Sequence, residues 1–398
     1  MPSRTHRPKI TWTGKPPRII AGLISGTSAD GIATVIIQLS ERNEMLTVKE
    51  LGFANIPYPR GLQKTILANS LPGTGSVDRI STLHAAIGVA FARALRTTAR
   101  KARIPLSSID LIGSHGQTVH HLPDPQNVHG IRVRSTLQLG DPSVIAQEMR
   151  IPVVGDFRTA DMAVGGQGAP LVPFLDYLLF RSSKQSRLVL NLGGIANFTA
   201  LPRSCSVDDV IAFDTGPANM IIDALAQEEF GRSYDKNGAR ARKGTVDTDV
   251  LRWMMTHPYL KLKPPKSTGR EMFGADYLRK FRRRAKNVSR DDRLATATEF
   301  TARSIFDQYT RFVRRRSPAT EVLVSGGGTH NTFLMERLQH AFGSIPVRPT
   351  TTAGFSVDAK EALLFAVLAY WTALGRPSNL PRVSGAKRSV ILGKICLP

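Results

Sequence analysis

Three apolar segments of this chain run straight into glycine-rich turns. RIIAGLIS (18–25) meets Gly26-Thr27-Ser28-Ala29-Asp30-Gly31, RLVLNLGG (187–194) ends in Gly193-Gly194 ahead of Asn197, and EVLVSGGG (321–328) ends in Gly326-Gly327-Gly328. Glycine lets a backbone approach a ligand closely and take positive φ, so that successive N–H groups can point at phosphate oxygens. Thr27 and Ser28 add hydroxyl donors, and Asp30 could hold a metal ion through oxygen or water. None of the three is a Walker G-x-x-x-x-G-K-[ST] string or a G-x-G-x-x-G fingerprint, so each by itself reads equally as a structural turn. Their recurrence on buried strands of one chain favours ligand contact.

Around these turns, strand and helix patterns alternate, which points to α/β layers. Residues 18–40 read as a hairpin, and 109–116, 151–157 and 210–216 as further buried strands. Helical spacing marks 77–101, 219–230, 248–256, 275–285, 293–315, 331–342 and 358–374. The apolar run Ala362–Leu374 is far shorter than the roughly 20 residues that cross a bilayer, so it predicts a buried helix and no membrane association. With 398 residues the chain has room for two or three domains, and no fixed repeat suggests a solenoid. Cys205 and Cys396 are too few for a disulfide framework and form no metal pair.

The charge balance is strongly basic: 54 Lys and Arg against 31 Asp and Glu, or +23. Such an excess suits phosphate-rich partners. It is spread along the chain, however, and its densest clusters, Arg279–Arg284 and Arg311–Arg316, lie in helical stretches and read as solvated faces. No zinc-finger, RNP or KH pattern supports nucleic-acid binding. Residues 1–17, rich in Arg, Lys and Pro without an apolar core, read as a disordered basic arm and not as a secretion signal.

Four polar segments could carry chemistry. Asp214, in FDTGPAN, ends a strand and could be a general base, or Asp214 or Thr215 could simply cap the helix that follows. His115, in SHGQT, could touch substrate or be a hydrogen-bonded structural histidine. Asp156 and Arg158, with Asp161, precede a glycine segment and could orient sugar hydroxyls or a metal, or Asp156 and Arg158 could form a structural ion pair. The loop Lys266–Glu271 could receive an anionic group or merely face solvent.

The strings GTSADG, SHGQT, LQLGD, GDFRTAD, GGQGAPLVP, NLGGIAN, FDTGPAN, YDKNG, PPKSTGRE, SGGGTHN and KEAL occur in this order over residues 19–395. Together they resemble the anhydro-N-acetylmuramic acid kinase family. The resemblance implies a two-lobed α/β fold of the sugar kinase/Hsp70/actin type, with ATP and Mg²⁺ in a cleft between lobes. The first lobe would comprise 18–145 with 378–398 and the second 146–377. It further implies a cytoplasmic enzyme of cell-wall sugar recycling, commonly a homodimer, whose partners are ATP and a 1,6-anhydro sugar. In that family water attacks the anomeric carbon as the anhydro bridge opens, and O6 takes the γ-phosphoryl group.

Carried over, Asp214 would be the base. Gly26, Thr27, Ser28, Ala29, Asp30, Gly31, Ile32 and Ala33 would meet the phosphates, with Asp30 on the metal. Gly193, Gly194 and Asn197 would add cofactor contacts, and Gly326, Gly327, Gly328 and Asn331 would border the adenosine. His115, Gln117, Asp156, Arg158, Gln167 and Glu361 would bind the sugar. The chain departs from the family pattern at Ala33, where Asp is usual, and at Ala218, where Gly is usual. Levoglucosan kinases share most of the strings but tend to carry Arg at the position of Gly166, which favours the muramyl enzyme. The rival readings are a levoglucosan or other anhydro-sugar kinase, and a catalytically silent nucleotide- or sugar-binding homologue.

Overall fold

The computed structural model describes residues 17–42, 45–71, 73–353, 356 and 358–398. The expected arm thus lies, apart from Pro17, outside the described residues. The strands are β1 (Arg18–Ser25), β2 (Ile32–Arg42), β3 (Met45–Ile56), β4 (Leu111–Val128), β5 (Ile131–Leu139) and β6 (Val153–Gly155). They continue with β7 (Arg187–Leu192), β8 (Ile195–Leu201), β9 (Ile211–Pro217), β10 (Glu321–Ser325), β11 (Val347–Pro349) and β12 (Lys394–Cys396). The chain forms two compact units, one of residues up to 178 with 359–398, the other of 179–358.

These borders differ from the expected ones at 145 and 378. β6 pairs in parallel with β4, and β12 pairs with β6, so 146–178 belongs with the first sheet. The helix Lys360–Ala373 joins it too, because that helix packs on β1 and β4.

In the first unit the strand order is β12-β6-β4-β1-β2-β3, with β5 paired to β4. β1 and β2 form the expected hairpin, with Ile24 opposite Ala33. Because successive strand residues face opposite sides, Ala21, Leu23 and Ile112 enter the core beneath the helix Val77–Lys101, while Gly22 and Gly113 face Lys360–Ala373. A strand covered on both faces explains why RIIAGLIS is nearly all apolar. The helix Val77–Lys101 begins at a Ser76 cap and buries Leu83, Ile87, Phe91 and Leu95, one every turn. Residues Ala362–Ala373 are all buried, and no helix among the described residues is long and apolar enough to cross a membrane.

The second unit orders its strands β11-β10-β7-β8-β9. β7, β8 and β9 form an antiparallel meander, β10 lies parallel to β7, and β11 parallel to β10. This repeats the plan of the first unit, where β1-β2-β3 is the meander and β4 and β6 are the parallel additions. Two α/β units built on one strand plan agree with the two-lobed α/β fold expected. The helices Arg290–Phe312 and Thr332–Phe342 supply Ile305, Tyr309, Leu334 and Leu338 to the core against this sheet. The helix Ala275–Arg284 buries Tyr277, Leu278 and Phe281, and its arginines fringe it: Arg279 pairs with Asp276 and Arg282 with Glu228. The basic clusters are, to that extent, the solvated faces expected.

The approach of the helix Lys360–Ala373 to the first sheet leaves no room for a side chain on the strands beneath it. A Cβ on Gly113 would lie 2.0 Å from the Phe365 carbonyl oxygen, and one on Gly22 would lie 1.9 Å from that of Ala362. Gly113→Ala is therefore expected to cost about 3 kcal/mol, the upper range for overpacking, because backbone and not a flexible side chain must yield. Urea unfolding of the variant beside the parent measures it.

Candidate active site

In the second unit, strand register brings polar residues into one row. Asp214 on β9 lies opposite Asn197 on β8, Asn197 opposite Asn191 on β7, and Asn191 opposite Ser325 on β10. Directly paired residues share a sheet face, so four polar side chains line one face at the end of the sheet. Asp214 is half-buried and gripped on three sides. Its Oδ2 accepts from the Thr268 N–H at 2.9 Å, its own N–H donates to the Lys266 carbonyl at 3.2 Å, and its carbonyl accepts from the Tyr259 hydroxyl at 2.7 Å. Among the described residues Oδ1 accepts no protein hydrogen bond. Burial raises the Asp214 carboxyl to about 6; the Thr268 amide opposes the rise, Glu271 adds to it, and Lys266 opposes it.

Neither Asp214 nor Thr215 caps the next helix. The Thr215 hydroxyl donates to the Ala196 carbonyl at 3.1 Å. The first amides of Asn219–Phe230 are met by the turn between β7 and β8: Ala218 and Met220 donate to the Gly194 carbonyl, and Asn219 donates to that of Gly193. These carbonyls thus serve the helix, and only the outer edge of the Gly193-Gly194 turn is left to face a ligand.

The third glycine turn divides its work. A Cβ on Gly326, whose φ is +89°, would lie 2.7 Å from the Leu192 carbonyl oxygen, and one on Gly328 would lie 2.6 Å from the Leu192 Cβ. Both are glycine for close packing on β7, whereas Gly327 faces open space. Asn331 spends its side-chain oxygen on the Leu334 amide as the cap of Thr332–Phe342. Gly327 and Asn331 line a cavity of about 440 Å³ with Asn219, Asp223, Tyr234 and Asn237. Burial alone raises the Asp223 carboxyl to about 6. Asp223 lies in none of the sequence motifs, since nothing local distinguishes it from an ordinary helix residue, whereas Tyr234 opens YDKNG, a string with no expected site role.

In the first unit the turn after β1 presents Gly26, Thr27, Ser28 and Asp30 to solvent, while Ala29, Gly31 and Ile32 are buried. Ala29 and Ile32 belong to the core, so only their backbones could meet a phosphate. Ala33, half-buried on β2 opposite Ile24 and Asn55, has no side-chain oxygen to offer. Gln63 donates to the Ser28 carbonyl at 3.2 Å and to Asp30 Oδ1 at 3.1 Å. Gln117 is fully engaged: its amide donates to the Gly26 carbonyl at 2.9 Å and its oxygen accepts from the Tyr58 hydroxyl at 3.2 Å. It braces the turn and leaves no group for a sugar.

His115 is a hydrogen-bonded structural residue. Its Nδ1 lies 3.1 Å from the Gly116 carbonyl, its Nε2 accepts from Arg158 Nε at 2.9 Å, and its ring packs on Phe365. Burial and then the neighbouring guanidinium hold its pKa well below the usual histidine value, so the ring is neutral with its proton on Nδ1. Arg158 also donates to the Gly168 carbonyl at 2.8 Å; burial lowers it to about 10, with the Glu361 charge opposing. Glu361 itself is exposed at the start of Lys360–Ala373. Asp156 does not pair with Arg158. It accepts from the Thr159 hydroxyl and pairs with Lys394, each at 2.5 Å. Gln167 is exposed, with its backbone N–H on the Ser384 carbonyl.

Asp161 is wholly buried and holds three donors: the Gly168 amide, the Asn379 carboxamide and the Ser384 hydroxyl, at 2.7–2.9 Å. A Cβ on Gly166 would lie 2.1 Å from its Oδ2. Gly166 therefore has a packing reason independent of any substrate, and its value as a marker of the muramyl enzyme shrinks accordingly. Lys266 also departs from expectation. Its ammonium donates inward, to the Tyr259 carbonyl and to Gln308, and does not serve as an open anion receptor.

The family model described as anhydro-N-acetylmuramic acid kinase matches residues 18–398. The chain is 46% identical over 383 residues to the anhydro-N-acetylmuramic acid kinase of Salinibacter ruber, covering 96% of each chain. It is 42% identical over 381 residues to that of a strain of Bacillus cereus, covering 95% of this chain and 99% of that one. Among solved structures it is similar to the (R)-2-hydroxyglutaryl-CoA dehydratase component A of Acidaminococcus fermentans, at a TM-score of 0.46 and 10% identity over 90% of this chain and 99% of that one. It is also similar to a ROK family glucokinase of Streptomyces griseus, at a TM-score of 0.37 and 11% identity over 88% of this chain and 99% of that one. With whole-length identities above 40% to proteins of that description, the chain belongs to the anhydro-N-acetylmuramic acid kinase family.

Proposed function

We propose that this protein opens the 1,6-anhydro ring of 1,6-anhydro-N-acetylmuramic acid with water and phosphorylates O6 from ATP, giving N-acetylmuramic acid 6-phosphate and ADP. The observation that carries the reading is Asp214: one carboxylate oxygen is held by the Thr268 amide, the other is open, and the group is poised near neutrality. As water bonds to the anomeric carbon, its proton passes to Asp214 Oδ1. The C1–O6 bond breaks, O6 bonds to the γ-phosphorus, and the bond from that phosphorus to the ADP oxygen breaks. Apart from that proton transfer, the protein's work is positioning and charge stabilisation.

Gly26, Thr27, Ser28 and the backbones around them are assigned to the phosphates. Arg158, oriented by neutral His115, and Glu361 are assigned to the sugar. The cavity beside Gly327 and Asn331 suits a nucleoside, with Asp223 a candidate partner for its hydroxyls. Among the described residues no group of three or more His, Cys, Asp or Glu side chains could hold a metal. A single exposed carboxylate, Asp30, fits an ion held chiefly by phosphate oxygens and water, as Mg²⁺ is. Bound there, Mg²⁺ would neutralise charge on the transferred group. The reading carries with it a cytoplasmic location, a homodimer and no nucleic-acid partner.

ADP release from Mg²⁺-ATP, with the muramyl sugar and with levoglucosan in parallel, tests the assignment. Turnover on the muramyl sugar alone is expected. Turnover on levoglucosan alone moves the protein to that rival, and silence on both in a folded, ATP-binding sample makes it a binding homologue. Asp214→Asn should lower kcat at least about 100-fold with ATP affinity kept; a loss under tenfold removes Asp214 from the base role. Because the base must be ionised, kcat/KM is expected to fall about tenfold per unit as pH drops below about 6, and to be level just above it. Asp30→Asn should raise the Mg²⁺ needed for half-maximal activity, and superimposable Mg²⁺ titrations would show that Asp30 does not hold the ion.

A further inference from the structure

Lys266 sits where a cation is least expected, among aromatic rings. Its Nζ lies 4.5 Å from the centre of the Tyr259 ring, 5.2 Å from that of Phe312 and 5.7 Å from that of Phe213. Cation–π attraction favours such a cage, and the remaining donors are met by oxygen: the Tyr259 carbonyl at 3.1 Å and Gln308 Oε1 at 2.6 Å. Gln308 is itself fully buried and fixed, donating to the Leu260 carbonyl and to Asp307. The ammonium therefore ties the segment after residue 262 to two rigid elements, β9 through Phe213 and the helix Arg290–Phe312 through Gln308 and Phe312.

Two backbone groups of that segment hold Asp214: the Lys266 carbonyl takes its N–H, and the Thr268 amide donates to Oδ2. Tyr259, the third group on Asp214, also forms one wall of the cage. We propose that Lys266 is the positioning residue of the Asp214 site, its caged ammonium clamping the loop that orients the carboxylate. The proposal rests on Asp214 being the base and goes beyond that reading by assigning the group that holds it in place.

The charged and titratable groups facing this lysine are Asp307 and Arg311 from the helix Arg290–Phe312, Asp214 from β9, and Tyr259; Glu271 also faces Asp214. Burial lowers the ammonium to about 8, with Asp307 opposing, Arg311 adding and Asp214 opposing. Its positive charge in turn helps keep Asp214 ionised.

Lys266→Met keeps length and apolar packing but removes both the donors and the charge. The expected result is a roughly 10-fold or greater loss of kcat, the scale of a slightly misplaced catalytic group, with KM for ATP unchanged. The acid limb of the kcat/KM–pH profile should move to higher pH. Lys266→Arg, which keeps the charge, should return the limb towards the parent position. A parental kcat and limb in Lys266→Met overturns the proposal, as does an equal kcat loss in both variants with an unmoved limb, which would mark mere scaffolding. Asp214→Asn run alongside separates the two ideas, since substantial activity in that variant defeats the base reading itself. Should Lys266→Met not fold, Gln308→Met removes one of the two oxygen acceptors of the ammonium, together with the Gln308 donations to Leu260 and Asp307; a smaller kcat loss with ATP KM unchanged is expected, and parental kinetics overturn the clamp.

Discussion

The backbone-to-backbone contact between the helix Lys360–Ala373 and strands β1 and β4 organises the first unit. Two glycines, Gly22 and Gly113, let the helix settle so close that its carbonyl oxygens occupy the space where side chains would stand. The approach places Phe365 against both His115 and Phe157. It also anchors the helix start, where Lys360 pairs with Asp176 at 2.7 Å and Glu361 lies near enough to Arg158 to favour its charge. Burial of nearly every residue of this helix rewards the contact, at about 25 cal/mol for each Å² of apolar surface removed from water.

In both units, the groups with chemical potential are oriented largely by backbone and neutral partners. Arg158 is held by a neutral imidazole and a carbonyl, and Asp214 by an amide, a carbonyl and a tyrosine hydroxyl. A neutral partner fixes direction without cancelling charge, which leaves the guanidinium and the carboxylate able to act on a ligand. Asp161 is the structural counterpart: with three donors inside the core, it ties the glycine segment to the residues around Asn379 and Ser384. Many arginines behind the +23 charge sit in surface pairs such as Arg242–Glu336 and Arg311–Asp307, which contribute little to stability.

Legibility varies with how local the determining physics is. The hairpin of β1 and β2, the helix Val77–Lys101 and the buried helix near the C-terminus follow from short-range apolar pattern and appear as expected. β3 and β5 carry no such pattern: β3 has Lys49 and Glu50 on a sheet edge, and β5 has three exposed residues at its start and pairs only with β4. The border between units differs from the expected one because β6, only three residues long, owes its membership to pairing with β4 and not to its own pattern. Among the polar residues, Gln117, Asn331 and His115 look like ligand groups in the sequence, yet each has hydrogen bonds committed within the protein.

The α/β class, the glycine turns at strand ends and the ordered motifs that identify the family can all be read from the chain without its fold. They depend on side-chain periodicity, on backbone freedom at glycine and on residue identity, all written locally. Other features exist only once the chain has folded: Asp214 is free of the helix cap, Asp156 pairs with Lys394 and not with its neighbour Arg158, Gly166 answers to Asp161, and Lys266 turns inward. The physical reason is that orientation and charge state follow from partners such as Thr268, 54 positions from Asp214, or His115, 43 from Arg158, and only folding brings them within hydrogen-bonding distance.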